Sequence, residues 1–141
     1  MTVGVVVGTF DMFHIGHLKL LLNAIQNCDF LIAGVNTDAV VLRDKNKKTI
    51  IPESDRLEIV NSIFCVSEAH LVTDNAVQFI SDLLSQGKKI DFYFRGNEPE
   101  KPHILVENKK ITDMGVTVVQ FPYTKSISSS KIRERLNNEK R

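Results

Sequence analysis

Short apolar runs alternate with amphipathic stretches along the whole chain. Residues 3–7 are β-branched apart from Gly4 and end on Gly8, the pattern of a buried strand that turns sharply at its carboxyl end. Leu18, Leu21, Leu22 and Ile25 then fall on one face of a helix. Residues 30–35 are apolar and short enough for a second, parallel strand, and the polar residues 36–49 predict a mobile loop. Beyond Pro52 a helix is predicted whose buried stripe is Leu57, Val60 and Phe64, flanked by Ile59 and Ile63 and capped by Ser54 or Asp55. A strand over 69–72, a helix over 76–85 ending at Gly87, and a strand over 90–94 follow, with Arg95-Gly96-Asn97 turning out of the last. A short helix over 104–108, a strand over 116–121 and a terminal helix carrying Ile132 and Leu136 complete the pattern. Five strands alternating with helices predict one α/β domain over residues 1–141, a Rossmann-like doubly wound parallel sheet.

Composition narrows the partners. No apolar run reaches the roughly 20 residues that span a bilayer, and the N-terminus lacks the basic, apolar and small-residue order of a secretory leader. A soluble, cytoplasmic protein with no membrane partner is expected. Cys28 and Cys65 sit in apolar contexts and read as packing residues. A net charge of +1 gives no footprint for nucleic acid. Positive charge gathers instead at Arg43, Lys45, Lys47 and Lys48, which suits a small anionic ligand.

The chemistry concentrates in Gly8-Thr9-Phe10-Asp11-Met12-Phe13-His14-Ile15-Gly16-His17, where a strand hands over to a helix. Helix N-termini at such edges attract phosphate. Imidazoles three residues apart in a first turn face the same side, donate hydrogen bonds and, when protonated, add positive charge to a phosphoryl transition state. Gly8 permits a tight turn, and Gly16 lets backbone approach a ligand. Packed or solvated histidines, or a metal site using Asp11, are the competing readings. Near the other end, Ser128, Ser129 and Ser130 open the last helix and serve either as an N-cap or as an anion site. The lysine-rich loop is a solvated surface or a cover for a bound triphosphate. Arg56 clamps a phosphate or pairs with Asp55 or Glu53.

Taken together, these segments resemble the cytidylyltransferase-like nucleotidyltransferases of the His-x-Gly-His type, above all the small bacterial glycerol-3-phosphate cytidylyltransferases. The resemblance rests on Gly8-Thr9-Phe10-Asp11 with His14-x-Gly16-His17, Asn36-Thr37-Asp38, Lys47-Lys48, Arg56 and the serine motif at 127–132, in the family's order over nearly the whole chain. It implies attack of a phosphorylated alcohol on the α-phosphate of a nucleoside triphosphate, with release of pyrophosphate and no covalent enzyme intermediate. His14, His17 and Lys47 are the implied catalytic residues. Gly8, Thr9, Phe10, Asp11, Gly16, Arg95, Gly96, Ser128 and Ser129 are implied on the nucleotide, and Asp38, Lys45, Arg56 and Thr124 on the acceptor or its phosphate. Mg²⁺ accompanying the triphosphate and a homodimer are implied as well.

The chain also departs from that pattern. Tyr123-Thr124-Lys125-Ser126 stands where those enzymes have Arg-Thr-Glu-Gly, Phe64 where they have an arginine, and Arg95-Gly96-Asn97-Glu98 where they have a Gly-Asp-Asp-Trp-like turn. These positions lie near the acceptor or the base, so the acceptor stays open. CMP transfer from CTP is the favoured expectation. Adenylyl transfer from ATP to a phosphorylated cofactor precursor, or a nucleotide-binding module without catalysis, are the alternatives.

Overall fold

The computed structural model describes residues 1–96, 101–121 and 129–139. Its element order is β1 (Val3–Gly8), α1 (Ile15–Ile25), β2 (Phe30–Asn36), α2 (Asp38–Lys45), α3 (Glu53–Asn61), β3 (Glu68–Val72), α4 (Ala76–Ser85), β4 (Phe92–Gly96), α5 (Pro102–Asp113), β5 (Thr117–Phe121) and α6 (Ser129–Glu139). The five strands form one parallel sheet in the order β3-β2-β1-β4-β5. The strand order reverses between β1 and β4, and in such sheets the cleft at the carboxyl ends of the two strands takes the ligand. The doubly wound sheet expected from the alternation of elements is therefore present.

Each face of the sheet carries its own core. On one face Val6, Leu31, Ala33, Val35 and Phe94 pack against Leu21 and Ala24 of α1 and Val60 of α3. On the other, Val5, Ile32 and Tyr93 meet Ala76, Ile80 and Leu83 of α4 and Ile111 of α5. Both free cysteines lie in this packing, Cys65 buried and Cys28 half-buried. Strand alternation explains the split, because successive side chains point to opposite faces.

Several sequence expectations are corrected. Residues 36–49 hold α2, with Thr37 Oγ1 accepting from Val40 N–H at 3.2 Å and Asn46 closing the helix in the left-handed region. Its buried contribution is the pair Val40 and Val41, too short to give a helical period. In α3 the buried residues are Arg56 and Val60, while Phe64 is 86% exposed. The helix ends before Phe64, so the spacing that put it on the stripe no longer applies. Pro52 takes the N-cap position, and neither Ser54 nor Asp55 caps the helix. The segment over 104–108 extends to the three-turn helix α5.

Candidate active site

A cavity of about 950 Å³ opens at the carboxyl ends of β1 and β4. The β1–α1 connection supplies Gly8, Thr9, Phe10, Asp11 and His14, and α1 supplies Gly16 and His17. Lys45 and Lys47 come from α2 and the loop after it, Arg95 and Gly96 from β4, and Ser129 and Arg133 from α6. The turn expected at Gly8 is made elsewhere. Phe10 and Met12 are the left-handed residues, at φ 54° and 49°. Such backbone in a bulky residue is strained and persists only where its surroundings over-determine it. What Gly8 provides is room, because a Cβ there would come within 3.0 Å of the Phe10 ring.

The two histidines cap their own helix. His14 Nδ1 accepts from Gly16 N–H at 3.0 Å, and His17 Nδ1 accepts from His14 N–H at 3.2 Å. A ring nitrogen that accepts carries no proton, so these bonds assign the proton of each neutral ring to Nε2. The rings stack with centroids 3.9 Å apart, and Phe10 packs edge-on to His17 at 5.4 Å. Burial lowers the pKa of His14. Burial, the neighbouring His14 and nearby Lys45 bring that of His17 down to about 4, against an opposing pull from Asp11. The site thus presents neutral Nε2–H donors, rather than the imidazolium charge that the sequence suggested.

Asp11 is the hub of the surrounding loops. Its carboxylate accepts from Ile50 N–H and Ile51 N–H, both at 2.9 Å, and from Arg133 Nη2. Burial alone would raise its pKa, but these three bonds outweigh burial and hold it below the usual carboxylate value. Ser129 Oγ donates to the Asp11 carbonyl at 2.6 Å, and Arg133 Nη2 also reaches the Lys48 carbonyl at 3.2 Å. One buried acid therefore fastens both the lysine loop and α6 to the β1–α1 turn. Lys47, in the wall between them, has its pKa lowered by burial and by the like charges of Lys45 and Arg133.

Arg56 is fully buried, away from the cavity wall. Nε donates to the Ile51 carbonyl at 2.8 Å, Nη1 to the carbonyls of Thr9 and Asn36 at 2.7 Å each, and Nη2 to Asp38 Oδ1 at 2.6 Å. Asp38 is spent in the same knot, accepting also from Thr49 Oγ1 at 2.6 Å. Both residues brace the loops that carry the site, and Arg56 pairs with neither Asp55 nor Glu53. Arg95 is buried at the cavity wall, with Nη1 donating to Asn108 Oδ1 at 2.6 Å. Ser128 and Thr124 lie outside the described residues.

Residues 5–135 match the cytidylyltransferase-like family. The glycerol-3-phosphate cytidylyltransferase of Bacillus subtilis (strain 168) is 32% identical over 129 residues, 92% of each chain. The chain belongs to the cytidylyltransferase-like family. It is accordingly a nucleotidyltransferase. A bifunctional protein HldE of Geobacter metallireducens is 34% identical over 110 residues, which are 77% of this chain and 19% of that one. The crystal structure of the lipopolysaccharide core biosynthesis protein from Thermoplasma volcanium GSS1 shares the fold, with a TM-score of 0.70 at 24% identity over 90% of this chain and 99% of that one.

For this cytidylyltransferase-like enzyme the cavity also includes residues that sequence reasoning missed. Arg133, the residue just past the serine motif at 127–132, carried no predicted role. Asn75 and Ala76 enter from the start of α4, and Tyr93 and Glu107 from β4 and α5. A signal existed for Arg133, a cation one turn into a helix already read as an anion site. The other four carry no local mark, because only the folding of β4, α4 and α5 around the switch point brings them together.

Proposed function

We propose that the enzyme transfers CMP from CTP to a phosphorylated alcohol resembling glycerol 3-phosphate and releases pyrophosphate. The observation that carries this reading is the pair of neutral Nε2–H donors, on rings locked by their own helix cap and lining the cavity. An acceptor phosphate oxygen forms a bond to the α-phosphorus as the bond to the pyrophosphate oxygen breaks. Charge grows on the α-phosphate oxygens, where preorganised donors stabilise it most. His14 and His17 supply those donors, and Lys47 with Lys45 supplies positive charge between α-phosphate and acceptor. The N-terminus of α6, with Ser129 and Ser128, takes the β- and γ-phosphates.

Mg²⁺ enters with the triphosphate as part of the substrate. Among the described residues no group of three His, Cys, Asp or Glu is arranged to hold an ion. Asp11, which the metal reading would have used, has both oxygens taken. A homodimer and a cytoplasmic setting belong to the same proposal. Their support is the family resemblance.

A pyrophosphate-release screen of CTP and ATP against phosphorylated alcohols, amino alcohols and sugars tests the reading. CTP with one phosphorylated alcohol is expected to turn over, with the rate lost in His17→Ala. Turnover with ATP alone establishes the adenylyl-transfer alternative. Tight triphosphate binding with no product from any acceptor establishes the non-catalytic one, as full turnover by His17→Ala would remove the histidine mechanism.

A further inference from the structure

The α4–α5 side of the cavity contains an incompletely satisfied cation. Strand alternation sends Phe94 toward the α1 core and leaves Tyr93 and Arg95 on the opposite face. Arg95 is 8% exposed and lines the cavity. Asn108 Oδ1 holds its Nη1 at 2.6 Å, the Tyr93 ring centre lies 5.6 Å from its Cζ, and Glu107 Oε1 stands off at 3.8 Å. Its Nε–H has no acceptor among the described residues. A buried donor left unmade is costly, and a carboxylate at that separation balances the charge without a hydrogen bond. The wall therefore lacks one hydrogen-bond acceptor.

The chemistry of the reaction indicates which group this is. A nucleobase is uncharged and offers isolated acceptor atoms, whereas a phosphate offers several oxygens together. The triphosphate already has His14, His17 and the start of α6, with Lys45 and Lys47 between it and the acceptor. The second substrate brings a phosphate of its own, and the planar fork of a guanidinium matches phosphate oxygens two at a time. We propose that Arg95, oriented by Asn108 and restrained by Glu107, binds the phosphate of the acceptor and selects phosphomonoesters over free alcohols. This reassigns Arg95 from nucleotide to acceptor, and it rests on the transfer reaction proposed above.

Calorimetry tests it on protein saturated with α,β-methylene CTP, which cannot turn over, titrated with inorganic phosphate and with sn-glycerol 3-phosphate. Arg95→Met is expected to weaken both phosphates at least tenfold while the affinity for the CTP analogue stays within twofold. Arg95→Lys keeps the charge without the fork and is expected to fall between. Asn108→Ala leaves Arg95 in place but loosens it, giving a smaller loss that remains measurable if Arg95→Met does not fold. In turnover, the acceptor KM rises and the triphosphate KM does not. Loss of nucleotide affinity with phosphate binding unmoved would make Arg95 a reader of the base and overturn the proposal. No change in either affinity would make it a structural residue and overturn the proposal equally. If the wild-type protein turns over no substrate pair, the transfer reading fails on its own, and the phosphate titration of Arg95→Met still decides this one.

Discussion

Burial beside His14, Phe10 and Phe13 keeps the His17 imidazole neutral down to a pKa of about 4. In the unfolded chain the same ring titrates near 6.5. Between those values the unfolded state binds more protons, so the stability contributed by the neutral ring is complete above about pH 6.5 and is lost as pH falls toward 4. The loss is on the order of 2–3 kcal/mol, and urea melts at pH 7.5 and 4.5 should show a clearly smaller drop in His17→Gln than in wild type. An equal drop in both would remove the linkage. Arg56 makes a second case. Replacing it with Met leaves the carbonyls of Thr9, Asn36 and Ile51 without their donor and Asp38 without its cation. A destabilisation of about 3–5 kcal/mol by chemical denaturation is expected, with Arg56→Lys recovering only part. The histidine pair was legible in the sequence because motif, strand and helix are contiguous. The task of Arg56 was not. Its acceptors sit 5, 18, 20 and 47 residues away, and local spacing encodes none of those distances.

Elements follow the same rule. The strands and α4 were readable because each buries enough apolar surface to show its period. Residues 36–49 hid a helix that buries two valines and owes the rest of its order to Thr37, Asn46 and the knot around Asp38. The loop beyond it is held by Asp11 rather than by its own composition. Arg133→Met removes the cation from that buried carboxylate, so the backbone contacts to Ile50 and Ile51 should loosen. Hydrogen exchange at those two amides is expected to quicken about tenfold or more, with exchange in β1 and β2 unchanged, because local openings draw on local contacts. Unchanged exchange at Ile50 and Ile51 would show that α6 does not support the loop.

Over the whole molecule, two cores share one sheet, and the cavity lies where strand order reverses between them. A triphosphate bound there touches elements from both faces, and thermal unfolding should remain a single transition displaced as a unit. CTP at about one hundred times its Kd adds about 2.7 kcal/mol, several degrees in Tm. ATP is expected to add less, and a larger shift with ATP would reverse the proposed nucleotide preference. The terminal helix is the exception to this shared support. Among the described residues α6 has none buried, and Ser129 and Arg133 tie it to Asp11 and Lys48, inside the site itself. A helix fastened by active-site contacts, with no core of its own, is exposed to proteases whenever those contacts open. A ligand in the cavity, by adding contacts to Ser129 and Arg133, would hold that helix down. In limited proteolysis, cleavage within α6 is expected to slow when CTP fills the cavity, and an unchanged rate would show that the site does not hold the helix.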